Sequence, residues 1–143
     1  MQPQSASTDI PSSQQRILEQ ELFDRAKRVT PQEAEKTVLE LPQKIATVVD
    51  SVHQKTPGIK RLLENVQLLY KMLRDPSFSI SWSAKAILVA GLAYFISPVD
   101  FIPDVIPLLG YVDDAFVISA ALNAITGEIE RYRAFKRGDN LMM

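Results

Sequence analysis

From Ala86 to Glu130 the chain runs 45 residues without a lysine or arginine, although it carries sixteen elsewhere. Six carboxylates stand inside that interval: Asp100, Asp104, Asp113, Asp114, Glu128 and Glu130. Two apolar stretches frame the first four, AILVAGLAYFI at 86–96 and AFVISAALNAITG at 115–127. The first is apolar on every face of a helix, and such a helix either forms the centre of a protein core or sits in lipid. Length weighs on that choice. Eleven helical residues extend about 16 Å, whereas a span needs about 20 residues to cross ~30 Å of hydrocarbon. Extended to Phe78–Ser97, the run reaches twenty residues, with Trp82 and Lys85 near one end where an aromatic ring and a long amine are tolerated. That length admits a marginal span or a re-entrant hairpin that keeps Lys85 and the basic residues of 131–137 on the cytoplasmic surface. Each charged aspartate at mid-bilayer opposes either arrangement by about 2.5–3.5 kcal/mol.

The remaining sequence offers the other solution, a bundle wrapped around 86–96. Residues 1–13 are rich in Ser, Gln, Pro and Thr and read as a disordered tail. Ile17, Leu18, Leu22, Ala26 and Val29 then recur at helical spacing and predict an amphipathic helix over 14–29. Thr30-Pro31-Gln32-Glu33 has the form of a capping box with proline at the first helical position, opening a helix over 31–55. Pro42 predicts a break or kink near Leu41, because it has no amide hydrogen and its ring meets the preceding turn. Thr56-Pro57-Gly58 punctuates the chain. Ile59, Leu62, Leu63, Val66, Leu69, Tyr70 and Leu73 mark a further amphipathic helix over 59–74, closed by Asp75-Pro76. No strand-like alternation occurs, and the chain has only five glycines. The expectation is an all-α small helical bundle with a Pro/Asp-rich loop between a central apolar helix and a long C-terminal helix reaching about Arg137. Its divisions are a tail at 1–13, N-terminal amphipathic helices at 14–57, a C-terminal helical domain at 58–138 and a tail at 139–143.

Composition removes many function classes. The formal charge of −1 supplies no basic field for nucleic acid. With no cysteine there is no disulfide, thiolate metal site or cysteine nucleophile, and the lone His53, read as solvent-facing, leaves a catalytic triad or multi-histidine zinc site without parts. The first fifteen residues show neither the basic nor the apolar region of a secretory leader, so a cytosolic start is expected.

The segment between the apolar stretches is compact in its chemistry. Ser97-Pro98-Val99-Asp100 again has the capping-box form. Pro103 and Pro107 exclude a long helix, Gly110 supplies a joint, Asp104 can cap the turn after it, and Asp113 and Asp114 fall in the first turn of the following helix, where the dipole favours carboxylates. The run YFISPVDFIPDVIPLLGYVDD, from Tyr94 to Asp114, resembles the signature of the YkvA-like family, a small bacterial domain of unknown function. Pro98, Asp100, Ile102, Pro103, Asp104, Ile106, Pro107, Gly110, Asp113 and Asp114 each meet it, and the likeness extends over about residues 60–130. It implies a helix, proline-rich loop, helix unit and association with a membrane; it supplies no catalytic residue.

Three roles follow for the four aspartates. They cap orphaned backbone amides; or they converge on one hard cation, Ca²⁺ or Mg²⁺, through oxygen ligands; or one of them retains a proton beside its neighbours. Without a nucleophile or oxyanion donors, an enzyme is not expected. The preferred reading is a non-enzymatic, membrane-associated scaffold on the cytoplasmic side of the inner membrane, or in the cytoplasm, with no bound cofactor. The alternatives are a soluble module that binds a protein partner and a cation-binding domain. Trp82 and Tyr94 read equally as interface anchors or core. The cluster RYRAFKR at 131–137 reads first as a favourable set of cations at a helix C-terminus and second as a contact for anionic lipid.

Overall fold

The computed structural model describes residues 10–51, 58–97 and 111–138, with the side chains of residue 51 and of 111–114 outside that description. Among the described residues the protein is all-α, with six helices and no strand: α1 (Ser12–Ala26), α2 (Pro31–Ser51), α3 (Ile59–Arg74), α4 (Trp82–Ile96), α5 (Tyr111–Ala124) and α6 (Thr126–Arg137). His53 and the terminal segments 1–9 and 139–143 lie outside the described residues.

Helix α4 is the axis of the bundle. Its start is set by Ser81, whose hydroxyl accepts the Ala84 amide at 3.2 Å, so Phe78–Ile80 are excluded from the helix. Phe78 instead turns into the core against Tyr132. From Ala84 to Ser97 no residue is exposed, because α1, α2, α3 and α5 all pack on this one helix. The fifteen-residue α4 is about 22 Å long. No helix among the described residues is long and apolar enough to cross a membrane, which corrects the twenty-residue span over Phe78–Ser97.

Two packed regions meet on α4. Leu88, Leu92 and Phe95 lie on one stripe and join Leu41, Val48, Leu62, Val66, Leu69 and Met72 from α2 and α3. Ala86, Val89, Ala90 and Tyr94, about half a turn away at 100° per residue, join Leu18 and Leu22 of α1 with Val117, Ala120 and Ala121 of α5. Tyr94 is therefore core. Gly91 sits at a close approach of α4 and α5: a Cβ there would lie 3.1 Å from the Ala121 Cβ. The N-terminal helices thus share their cores with the C-terminal segment.

The flanking helices follow their apolar periodicity. On α3, Ile59, Leu62, Val66, Leu69 and Met72 are buried, after Gly58 turns the chain into the helix with φ of 86°. The α2 start has Thr30 Oγ1 accepting the Glu33 amide at 3.1 Å.

Four details differ from the sequence reading. Ile10, assigned to a disordered tail, is 1% exposed and packs in the alanine-rich region, and Gln15 Nε2 donates to its carbonyl at 2.9 Å. α1 accordingly begins at Ser12. Helix α2 continues through Pro42 rather than breaking near Leu41. Leu41 and Val48 are both fully buried, one on each side of the proline, so packing holds both halves in the helix despite the missing hydrogen bond. The C-terminal helix, in contrast, is not one long rod: Ile125, at φ −118° and ψ 30°, separates α5 from α6. There the Thr126 hydroxyl donates to the Leu122 and Asn123 carbonyls at 3.2 and 2.9 Å, competing with backbone amides for the last turn of α5, and Gly127 follows with poor helix propensity. The bend carries Ile129 and Tyr132 of α6 into the core.

Candidate functional site

The signature segment leaves the described fold at the carboxyl end of α4 and rejoins it at the amino end of α5. Ser97, expected to open a capped turn, is the residue that closes α4, its amide donating to the Ala93 carbonyl at 2.9 Å. Pro98, Asp100, Pro103, Asp104, Pro107 and Gly110 lie outside the described residues. Asp113 and Asp114 occupy the first turn of α5; their side chains lie outside the description. The backbone therefore places these two carboxylate-bearing residues at the positive end of the α5 dipole.

At the α4 end the structure shows what supports the departure point. A small cavity of about 110 Å³ is lined by Arg25 from α1, Glu33, Lys36, Thr37 and Glu40 from α2, and Ala93, Ile96 and Ser97. Arg25 grips Glu33 with both guanidinium nitrogens, Nη1 to Oε1 at 2.8 Å and Nη2 to Oε2. This bidentate pair fixes the α1–α2 corner. Burial, followed by the neighbouring Arg28, pushes the Arg25 guanidinium below its ordinary value. Thr37, 3% exposed, donates its hydroxyl to the Glu33 carbonyl at 2.9 Å, so the corner is satisfied from both sides. Lys44 Nζ stands 5.9 Å from the centre of the Phe95 ring. Three cations of the N-terminal helices, Arg25, Lys36 and Lys44, are thus gathered around the final turn of α4, whose free carbonyls form the negative end of its dipole.

This arrangement revises the cation-free character of the segment. In sequence, residues 86–130 have no basic neighbour. In space, α1 and α2 bring three to the last turn of α4. The capping-box pattern at Thr30 concealed this, because its acid at Glu33 reads as a local cap, whereas the carboxylate is committed to Arg25. Eight residues separate the partners across a helix corner, beyond the reach of any helical periodicity. A cavity of this size holds a few waters and falls well below the ~300 Å³ at which small-molecule sites begin. Its chemistry is that of a brace.

A second polar junction lies at the opposite end of α4. Asp75 accepts the Ser77 amide at 2.9 Å and the Tyr132 hydroxyl at 3.1 Å, and Lys136 Nζ approaches it at 3.7 Å. The Ser77 amide leads these in holding the Asp75 carboxyl below the usual carboxylate range; burial, and then the Asp75 bond and charge, push Tyr132 up. Arg131 donates to the Ser79 carbonyl and to Glu128 Oε1, both at 2.5 Å, with its guanidinium 4.5 Å from the centre of the Phe78 ring. Two cations of the 131–137 cluster are therefore engaged in clamping α6 to the 75–81 turn. Among the described residues no group of three or more metal-ligating side chains occurs.

Comparison with known proteins adds a family to this geometry. The family described as Protein of unknown function (DUF1232) matches residues 84–120, from the first turns of α4 to within α5. Uncharacterized membrane protein YkvA of Bacillus subtilis (strain 168) is 30% identical over 88 residues, covering 57% of this chain and 81% of that protein. No solved structure matches the chain. The identity to the Bacillus relative, over about four-fifths of its length, places this chain in the YkvA-like family.

Proposed function

We propose that this chain is a non-enzymatic helical scaffold that associates with a membrane from its surface, on the cytoplasmic side of the inner membrane, without crossing the hydrocarbon. One observation carries the reading: the strongly apolar α4 is enclosed by protein from Ala84 to Ser97. A segment already buried in protein has no apolar face to offer lipid, so attachment has to use the outer surface of the bundle. The membrane designation of the Bacillus relative supports association as such. The negative potential of the cytoplasmic leaflet favours that side for basic surface groups. The absence of cysteine and the single histidine support a non-enzymatic role.

Fractionation of cells producing the full chain tests this. The protein is expected in the high-speed membrane pellet and is expected to be released by alkaline carbonate without detergent. Recovery in the supernatant from the outset defeats membrane association, and retention in the pellet until detergent is added defeats surface attachment.

A further inference from the structure

The outer face shared by α2 and α3 has the features of a lipid-facing surface. Leu39 on α2 is 79% exposed. One exposed leucine is ordinary on any protein, but this one borders a groove of about 450 Å³ whose walls include Val38, Leu73 and Lys85. The next turns of the same two helices line a second groove, of about 390 Å³, with Pro42, Ile45 and Ala46 facing Tyr70, Lys71 and Arg74. At 100° per residue Leu39, Pro42, Ala46 and Val49 fall within an 80° arc, so these apolar groups form a single stripe. Val49 is 40% exposed at its far end.

The charges along this stripe are unequal. The second groove is lined by two cations and no carboxylate. The first adds Lys85 against Glu35. Arg74 packs on Tyr70, 5.4 Å from the ring centre, with Nη1 3.3 Å from the phenol oxygen. Lys85 Nζ lies 5.9 Å from the ring centre of Trp82, itself 46% exposed. Aromatic rings with cations at their edges and aliphatic groups between them match the interfacial layer of a bilayer, where rings and stems sit among headgroups and amines reach phosphate.

We infer that the α2–α3 face, with Leu39 and Trp82 as inserted groups and Lys71, Arg74 and Lys85 as headgroup contacts, docks on an anionic bilayer surface. The inference rests on the surface-association reading and adds to it the face and the lipid charge. Purified full chain is sedimented with vesicles of phosphatidylcholine alone and of phosphatidylcholine mixed with phosphatidylglycerol. Binding is expected only with the anionic vesicles, falling as salt is raised. Lys71→Gln with Arg74→Gln is expected to weaken it roughly thirtyfold, from two surface cations at their usual contribution. Leu39→Asp is expected to weaken it roughly tenfold or more, through loss of one inserted side chain and repulsion of the new carboxylate by the anionic surface. Circular dichroism establishes that each variant retains its helices. Equal binding to both vesicle types, or variants that bind as the parent does, overturns the inference while leaving surface association intact. Failure of the parent to bind either vesicle, in a protein that still sediments with cell membranes, also overturns it and assigns this face to a protein partner. Recovery of the parent in the cell supernatant defeats the underlying reading itself.

Discussion

Helix α4 presents one side to large side chains and the other to small ones, and the two sides are stable for different reasons. Among the described residues, the side facing α2 and α3 is filled by Leu, Phe, Met, Ile, Val and Tyr, with Ala84 its one buried alanine. The side facing α1 and α5 includes Ala26, Ala34, Ala86, Ala90, Ala120 and Ala121. Large residues bury more apolar area and keep helices further apart. Small ones give up area but let backbones approach, as at Gly91 and Ala121. The first side is vulnerable to removal of atoms, the second to addition of them. A helix apolar on every face can thus be satisfied by two packing strategies at once, neither of which needs lipid.

Substitutions that exchange the two strategies should separate the halves. The largest expected effect is Phe95→Ala on the large-residue side: it empties a fully buried site and should lower the unfolding free energy by about 3–5 kcal/mol, read from the denaturant midpoint at constant slope. A loss near zero would show that side to be loosely filled. Ala121→Leu, the converse change, should destabilise by about 1–3 kcal/mol through overpacking against α4. Gly91→Ala at the same contact should change stability far less, because about 1 kcal/mol of gained helix propensity opposes the 3.1 Å approach. If Ala121→Leu is tolerated as easily as Gly91→Ala, the close approach of α4 and α5 is absent.

A further substitution sharpens the comparison by probing the polar edge of the large-residue side. Tyr132→Phe removes the hydroxyl that donates to Asp75 and should lower stability by about 1 kcal/mol. The pH dependence has a defined sign. Asp75 is held down, so its contribution is complete above the ordinary carboxylate value near 4 and is lost as pH falls through the lowered one. Tyr132 is pushed up, so its contribution is complete below about 10 and is lost as pH rises through the raised value. Asp75→Asn should therefore flatten the acid limb of a stability–pH profile, whereas Phe95→Ala should lower the whole profile with its shape preserved. A profile unchanged by Asp75→Asn would remove the carboxylate from the junction.

Local rules made much of this fold legible. Apolar spacing on α3 anticipated burial at Ile59, Leu62, Val66 and Leu69, and the Thr30 cap was readable because it acts within one turn. Leu63, Tyr70 and Leu73 are only partly buried, with Met72 fully so, since tertiary neighbours decide which flank of a broad stripe is covered. A break at Pro42 did not follow, because the loss of one hydrogen bond is a local quantity, while Leu41 and Val48 anchor the helix through distant partners. The division at Ile125 depends on a threonine hydroxyl bonding backward, which composition does not show. Of the site, the position of Asp113 and Asp114 in the first turn of α5 was readable from the helix start. The Arg25–Glu33 brace and the cations around Ser97 were not, because periodicity carries no information about which corner of one helix meets the end of another.

The central position of α4 also has a consequence for biogenesis. Its alanine-rich side is completed by α5, which ends 28 residues later in the chain. At translation rates of about 5–20 residues per second, the nascent polypeptide has only α1 to cover that side for roughly 1–6 s before α5 is synthesised. The order of the helices thus leaves closure of that side to the last third of the chain.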